Sequence, residues 1–161
     1  MTLDPRRTAV LALHWQVNVI EPDGFFGGLL AAPVARSGVV SRAAAFHDAV
    51  RRVGVPVCFT RFTIPEGEGE LVRNTAFMTA VADAQESFRP DAPGAALIEA
   101  MTVGAHDLVV DNQRLSGLAA SPCRTGYGNW ASTSCSSPAS RRTSPWSRRH
   151  DTAPTWASPC T

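Results

Sequence analysis

The sequence predicts an α/β domain built on a mainly parallel sheet. A continuous apolar run, residues 8–14, suits a strand that is buried on both faces, and residues 55–62 are predicted as the second strand. A helical pattern, residues 34–53, lies between them, and a third short apolar run follows at 108–110. Strand, helix and strand with short connections form a βαβ unit, whose crossover is almost always right-handed. At 161 residues, the chain is long enough for one domain with its own core.

The helical pattern has one apolar stripe. Val39, Ala43, Phe46 and Val50 follow each other at steps of four, three and four, which places them on one face of a helix. Gly54 provides a residue that tolerates the left-handed conformation found after helix ends. We therefore expect this stripe to face the sheet.

The connecting segments carry weaker signals. The glycine-rich loop 21–28 contains Phe25 and Phe26, which we expect to cover part of the interior. Residues 66–70 (EGEGE) predict an acidic turn, and two short helices are predicted at 71–81 and 95–101. Cys58 lies in the middle of the second apolar run and is interpreted as a small core residue.

The third apolar run leads into a polar segment, residues 111–114, which the pattern places at a strand tip. In open parallel sheets, ligands bind outside the carboxyl ends of the strands. His14 closes the first run at the same predicted edge, so a candidate site lies there.

Composition excludes several classes of function. The net charge of +1 gives no bulk electrostatic attraction to nucleic acid or to an anionic membrane. All 15 basic residues are arginine, so a lysine nucleophile, a Schiff base and a phosphate-loop lysine are excluded. The four cysteines form no CxxC pair and no metal-ligand spacing, and we expect no metal site and no cofactor. The polar start and short first run predict no signal peptide and no membrane span, hence a cytoplasmic protein.

The composition changes abruptly after Leu118. Beyond it the chain has no Leu, Ile, Val, Phe or Met, and Ser, Pro, Thr and Arg dominate. Such a segment cannot bury enough apolar surface to offset the entropy of ordering it. We expect residues 1–118 to be the N-terminal part of a domain and residues 119–161 to be a disordered tail.

Four segments in order resemble the isochorismatase-like cysteine hydrolases. They are residues 9–16 (AVLALHWQ), 49–57 (AVRRVGVPV), 93–98 (PGAALI) and 107–118 (DLVVDNQRLSGL). The resemblance implies a Rossmann-like, three-layer α/β sandwich whose sheet is incomplete here at the C-terminus. It also implies hydrolysis of a small amide or vinyl ether by an aspartate, a lysine and a nucleophilic cysteine, and it implies homo-oligomers.

The catalytic positions of that family are altered. The family aspartate falls on His14 and the family lysine on Asn112, while the cysteine would lie beyond residue 118, in a motif that this sequence does not display. His14 and Asn112 are therefore the candidate catalytic positions, with Gln16, Arg114 and Ser116 as candidate substrate-binding residues. His14 is either a general base or a hydrogen-bonded residue at a strand end. Asn112 either orients a substrate carbonyl or caps a turn.

The tail has the properties of a shifted reading frame. Read two bases later, serine codons of the TCN type would encode apolar residues, and each Trp-Ala pair would encode a glycine. The pairs Trp130-Ala131 and Trp156-Ala157 then place glycine where the family pattern has it before a strand. A genuine tail is the other interpretation.

These observations predict a family member that takes a small molecule but is inactive as written, with neither nucleic acid nor membrane as a partner. We expect the chain to expose a sheet edge and to be poorly soluble. One alternative is a hydrolase that uses His14 in an unusual site. The other is a non-enzymatic binding module with a basic tail, for which salt-sensitive nucleic-acid binding, lost on deletion of residues 119–161, would be diagnostic.

Overall fold

A parallel sheet of three strands organises the part of the chain that the computed structural model describes, residues 3–114 and 116. The strands are β1 (Val10–Leu13), β2 (Val57–Phe62) and β3 (Leu108–Asn112), with β2 in the centre. Val10 lies opposite Val57, and Cys58 lies opposite Leu108. This sheet confirms the predicted α/β class. Within the same residues, no helix is long and apolar enough to cross a bilayer.

Four α-helices connect and cover the strands: α1 (Val17–Ile20), α2 (Gly27–Ser37), α3 (Val39–Arg52) and α4 (Ala76–Asp83). Single 3-10 turns occur at Pro5–Arg7, Gln85–Phe88 and Pro93–Ala95. The prediction of one helix over 34–53 was wrong, because α2 and α3 are separate helices that meet at Gly38. Its φ of 62° is left-handed, which ends α2 and redirects the chain into α3.

The predicted apolar stripe of α3 was also wrong in part. Phe46 is exposed, and His47 takes the buried position beside it. Val40 and Ala44 pack on the core together with Ala43 and Val50 of the predicted stripe. Apolar residues occur on both sides of the predicted stripe, so periodicity alone did not fix which face meets the sheet.

The prediction of a helix at 95–101 was wrong, because its backbone groups bond elsewhere. Ala96 O accepts the Val17 N–H at 3.0 Å, and Ile98 N–H donates to Trp15 O at 3.0 Å. The helix predicted at 71–81 occurs later, as α4, and begins where the Thr75 hydroxyl accepts the Met78 N–H at 3.1 Å.

β3 runs through Asn112, so the first two residues of the predicted polar tip belong to the strand.

Two apolar clusters form the core. The first lies on the face of the sheet that α3 covers and contains Ala12, Val57, Phe59, Ile98 and Met101. The second lies at the carboxyl end of β2, beside α4, and contains Phe62, Ile64, Met78, Val81 and Phe88. Cys58 is buried in β2, as predicted for a small core residue.

The Asp107 carboxylate links α3, β2 and the segment before β3 at the edge of the sheet where the strands begin. Its side chain is 1% exposed, and it accepts hydrogen bonds from Arg51 Nε at 2.8 Å, Val57 N–H at 2.9 Å and Gly104 N–H at 2.7 Å. Arg51 also donates to Thr102 O at 2.6 Å. Burial alone would raise the pKa of Asp107, but these hydrogen bonds outweigh it and hold the pKa below its ordinary value of 3.8.

We predict that Asp107→Asn lowers the free energy of unfolding at pH 7 by about 3 kcal/mol, because it breaks a buried ion pair and leaves the Arg51 guanidinium with only the exposed Asp48 carboxylate as a partner. A lowered carboxyl pKa contributes stability above the unfolded-state pKa, and this stability is lost as the pH falls through the folded-state pKa. The loss should therefore shrink as the pH falls below about 4 in urea unfolding curves.

Asp48→Asn is the matched control, because Asp48 bonds to the same arginine at 2.9 Å with a side chain that is 60% exposed. We expect it to cost under about 1 kcal/mol. Equal losses for the two variants would contradict the importance of the buried carboxylate.

His47 is a buried imidazole in the core between α3 and the sheet. Its ring lies edge-on to Phe59 at 5.4 Å and to Trp15 at 6.4 Å, and its Nδ1 has no hydrogen-bond partner within the described part of the chain. Burial and the neighbouring Arg51 guanidinium hold the pKa of His47 below its ordinary value of 6.5, against smaller opposing effects of Asp107 and Asp48.

We predict that His47→Leu flattens the loss of stability on acidification. A histidine with a lowered pKa contributes stability above its unfolded-state pKa of about 6.5, and this is lost as the pH falls towards the folded-state value. Thermal melts between pH 7.5 and 5 measure the effect. The exposed His106 is the matched control site, and equal pH profiles for His47→Leu and His106→Leu would refute the prediction.

Candidate functional site

His14 and Asn112 lie at the same edge of the sheet, as the sequence predicted. His14 follows β1 with a φ of 54°, a left-handed conformation that is uncommon outside glycine, and its N–H donates to Thr60 O at 3.0 Å. Phe62 ends β2 and Asn112 ends β3, where the two residues lie opposite each other. The carboxyl ends of all three strands therefore lie at this edge of the sheet.

A cavity of about 220 Å³ opens beside His14. Its walls come from the ends of β1 and β2, from α1, α2 and α4, and from the turn Gln85–Phe88, while Asn112 of β3 is not among its described lining residues. The residues that line it are His14, Val19, Phe26, Leu29, Leu30, Phe62, Phe77, Val81 and Phe88. Among these residues, only His14 has a polar side chain.

The Gln16 carboxamide does not line the cavity, but it holds the backbone of the lining residue Phe62. Gln16 is 1% exposed, and its Oε1 accepts the Phe62 N–H at 2.6 Å. Its Nε2 donates to Phe62 O at 3.0 Å and to Ala95 O at 3.1 Å. Both amide hydrogens and the oxygen are thus used within the chain, so Gln16 holds the end of β2 against the turn Pro93–Ala95.

Asn18 fixes the segments that carry Phe26 and Phe88, and sequence reasoning missed it. Its Nδ2 donates to Ser87 O at 2.7 Å, and its Oδ1 accepts the Phe25 N–H at 3.2 Å. Ser87 and Phe25 each precede a phenylalanine that lines the cavity. The sequence feature that could have identified Asn18 is its position as the single polar residue of the otherwise apolar helix α1. The Asn18 side chain is buried in the structure.

Asn112 is buried without a partner in the described part of the chain. It is 6% exposed, and neither its Nδ2 nor its Oδ1 makes a hydrogen bond there. The hydroxyl of Thr60, two residues before Phe62, is likewise buried and unsatisfied. Since Phe62 and Asn112 are register partners, these two polar groups share one face of the sheet.

The charged groups at this edge are paired away from the cavity. Arg61 binds Asp111 with two hydrogen bonds, Nε to Oδ1 at 2.7 Å and Nη2 to Oδ2 at 2.8 Å, on the other face of the sheet. Arg114 lies 3.7 Å from Glu70 in the acidic turn, whose N–H donates to Gln113 Oε1 at 2.9 Å. Arg114 and Ser116 are both exposed, and neither lines the cavity.

This parallel sheet, with a cleft at the carboxyl ends of its strands, defines an α/β protein of the Rossmann-like class. The sequence model of the Isochorismatase domain matches residues 8–124, nearly three quarters of the chain. The chain belongs to the isochorismatase family, which confirms the resemblance read from the sequence.

Solved structures of the family share this fold. A cysteine hydrolase from Pseudomonas syringae pv. phaseolicola matches with 21% identity and a TM-score of 0.63, over 81% of this chain and 58% of that one. An isochorismatase family protein from Desulfovibrio vulgaris matches with 15% identity and a TM-score of 0.60, over 78% and 62%. The N-carbamoylsarcosine amidase from Thermoplasma acidophilum matches with 19% identity and a TM-score of 0.51, over 76% and 61%.

At these identities the likeness concerns the fold. The chain spans about three fifths of the length of these relatives. A comparison with curated proteins gives no match.

A substitution at Gly94 tests whether Asn18 holds the cavity walls in position. A Cβ at this residue would lie 2.2 Å from Asn18 Oδ1 and would displace the Asn18 side chain. We predict that Gly94→Ala lowers the free energy of unfolding by about 1–3 kcal/mol, the usual cost of forcing extra atoms into a packed site. Chemical denaturation measures the loss.

Gly28→Ala is the matched control, since a Cβ there meets no atom within 4 Å and Gly28 lies in α2. Alanine should be neutral or stabilising by up to about 1 kcal/mol. A Gly94→Ala protein as stable as Gly28→Ala would show that Asn18 does not hold its position.

Proposed function

We propose that this chain keeps a small-molecule cleft of the isochorismatase family but does not carry out the family's hydrolysis. Its ligand is a small molecule related to the amides and vinyl ethers that the family resemblance implies. The observation that carries the proposal is the pair His14 and Asn112, which stands where that resemblance places an aspartate and a lysine, in a chain without any lysine.

The chemistry supports this conclusion. Attack of a thiolate on a carbonyl needs an accessible nucleophile, a base and groups that stabilise the developing negative charge. Cys58 is buried in β2, and the described residues that line the cavity include no cysteine and no cation. Asn112 is neutral, so it cannot supply the charge of a lysine.

The remaining groups are suited to binding. The apolar walls exclude water from a ligand, and the His14 imidazole gives one polar contact at the strand end. Gln16 acts as a positioning residue in this proposal, because its amide holds Phe62 in the wall through two hydrogen bonds to the Phe62 backbone and is itself anchored by a third to Ala95 O.

Turnover assays test the proposal directly. The full chain is incubated with a panel of small amides and vinyl ethers, and product is followed by chromatography. We predict product formation at the buffer rate, unchanged in His14→Ala. Turnover above the buffer rate that disappears in His14→Ala would overturn the proposal and make His14 a catalytic base.

A further inference from the structure

We infer that the cavity beside His14 binds an uncharged single-ring aromatic molecule and discriminates against its carboxylate analogue. The inference rests on the proposed function, since it names the ligand class of the same cleft. Its evidence is the geometry of the aromatic walls, the size of the cavity and the pairing of the surrounding charges.

The walls carry four phenylalanines from separate parts of the chain: Phe26, Phe62, Phe77 and Phe88. Phe26 and Phe77 are stacked, with ring centroids 5.4 Å apart and an interplanar angle of 9°. Phe62 meets Phe88 edge-to-face at 5.6 Å and 87°. Aromatic rings prefer both of these arrangements, so the walls offer faces and edges to a further ring.

The size of the cavity limits the ligand. Its volume is about 220 Å³. An engineered apolar cavity of about 150 Å³ holds benzene, while sites for drug-sized ligands begin at about 300 Å³. One six-membered ring with a small substituent therefore fits.

The charges around the cavity are already paired. Arg61 is bound to Asp111, and Arg89 donates to Glu86 at 2.7 Å and to Pro65 O at 2.7 Å. No arginine is among the described lining residues. A carboxylate that entered would lose hydration without gaining a cation, which is costly in an apolar site.

One neutral polar substituent is compatible with the site. His14 is the polar group on the lining, at the end where β1 stops. An imidazole offers a hydrogen-bond donor or acceptor, and a hydroxyl can satisfy either. The Gln16 and Asn18 bonds hold the walls in place before a ligand arrives, which lowers the entropic cost of binding.

The test compares two probes of similar size, benzyl alcohol and benzoate, by ligand-observed NMR titration of the full chain at pH 7.5. We expect benzyl alcohol to bind at least about tenfold more tightly than benzoate, a difference of ~1.4 kcal/mol. Cyclohexylmethanol, which has the same hydroxymethyl group on a saturated ring, should bind more weakly than benzyl alcohol.

Two variants and one control locate the binding. Phe77→Ala should weaken benzyl alcohol binding at least about fivefold, because it removes one stacked wall. Phe46→Ala is the matched control, because Phe46 is 52% exposed, against 46% for Phe77, and lies outside the cavity. Val19→Phe should abolish binding by filling the cavity while all four phenylalanines remain. Circular dichroism checks that each variant is folded.

Three results would overturn the inference: benzoate binding as tight as benzyl alcohol, no probe binding to the folded protein, or loss of binding in Phe46→Ala to the same degree as in Phe77→Ala. Self-association that Phe77→Ala abolishes would also overturn it, since a second copy would then occupy the cavity. The inference and the proposed function fail separately. Turnover that depends on His14 overturns only the proposed function, whereas absence of probe binding overturns only the ligand class.

Discussion

The structure depends first on the hydrogen bonds that the Asp107 carboxylate accepts at the amino edge of the sheet. Asp107 precedes β3, yet its oxygens reach the start of β2 and the last turn of α3 through Val57 and Arg51. One side chain therefore sets the relative positions of a helix and two parallel strands. A buried carboxylate remains ionised only where several donors converge on it, and here three do so, including the two backbone N–H groups of Val57 and Gly104.

At the carboxyl ends of the strands, uncharged carboxamides hold the segments together, in contrast to the Asp107 carboxylate at the other edge. Gln16 and Asn18, two residues apart, reach backbone atoms 46 to 79 residues away in the chain, at Phe62, Ser87 and Ala95. A carboxamide both donates and accepts, so it can satisfy strand-end and turn groups with no net charge. These hydrogen bonds fix the walls of the cavity without placing a charged side chain among its described lining residues. The uncharged ligand class that we infer follows from this apolar lining.

The sequence predicted the class of fold, because apolar runs mark the buried strands. It also predicted the edge of the sheet that carries the site, because polar residues follow the ends of those runs. The strands and the position of His14 illustrate this. The sequence did not predict which face of α3 is buried, because apolar residues occur on two neighbouring faces.

Phe46 and His47 are neighbours on α3, and only packing against the sheet decides that the imidazole is buried. Asn18 and Gly94 act through a contact between segments 76 residues apart, which no local pattern encodes. The predictions for residues 119–161 lie outside the described residues.

The side chains that hold this fold together do not include the candidate site residue Asn112. Asp107, Gln16 and Asn18 bond to the backbone of other segments, whereas the Asn112 amide makes no hydrogen bond within the described residues. A buried amide without a partner costs stability, so Asn112 contributes nothing to the fold through its polar atoms. The hydrogen bonds of Asp107, Gln16 and Asn18 therefore hold the fold and the cavity walls independently of the Asn112 amide.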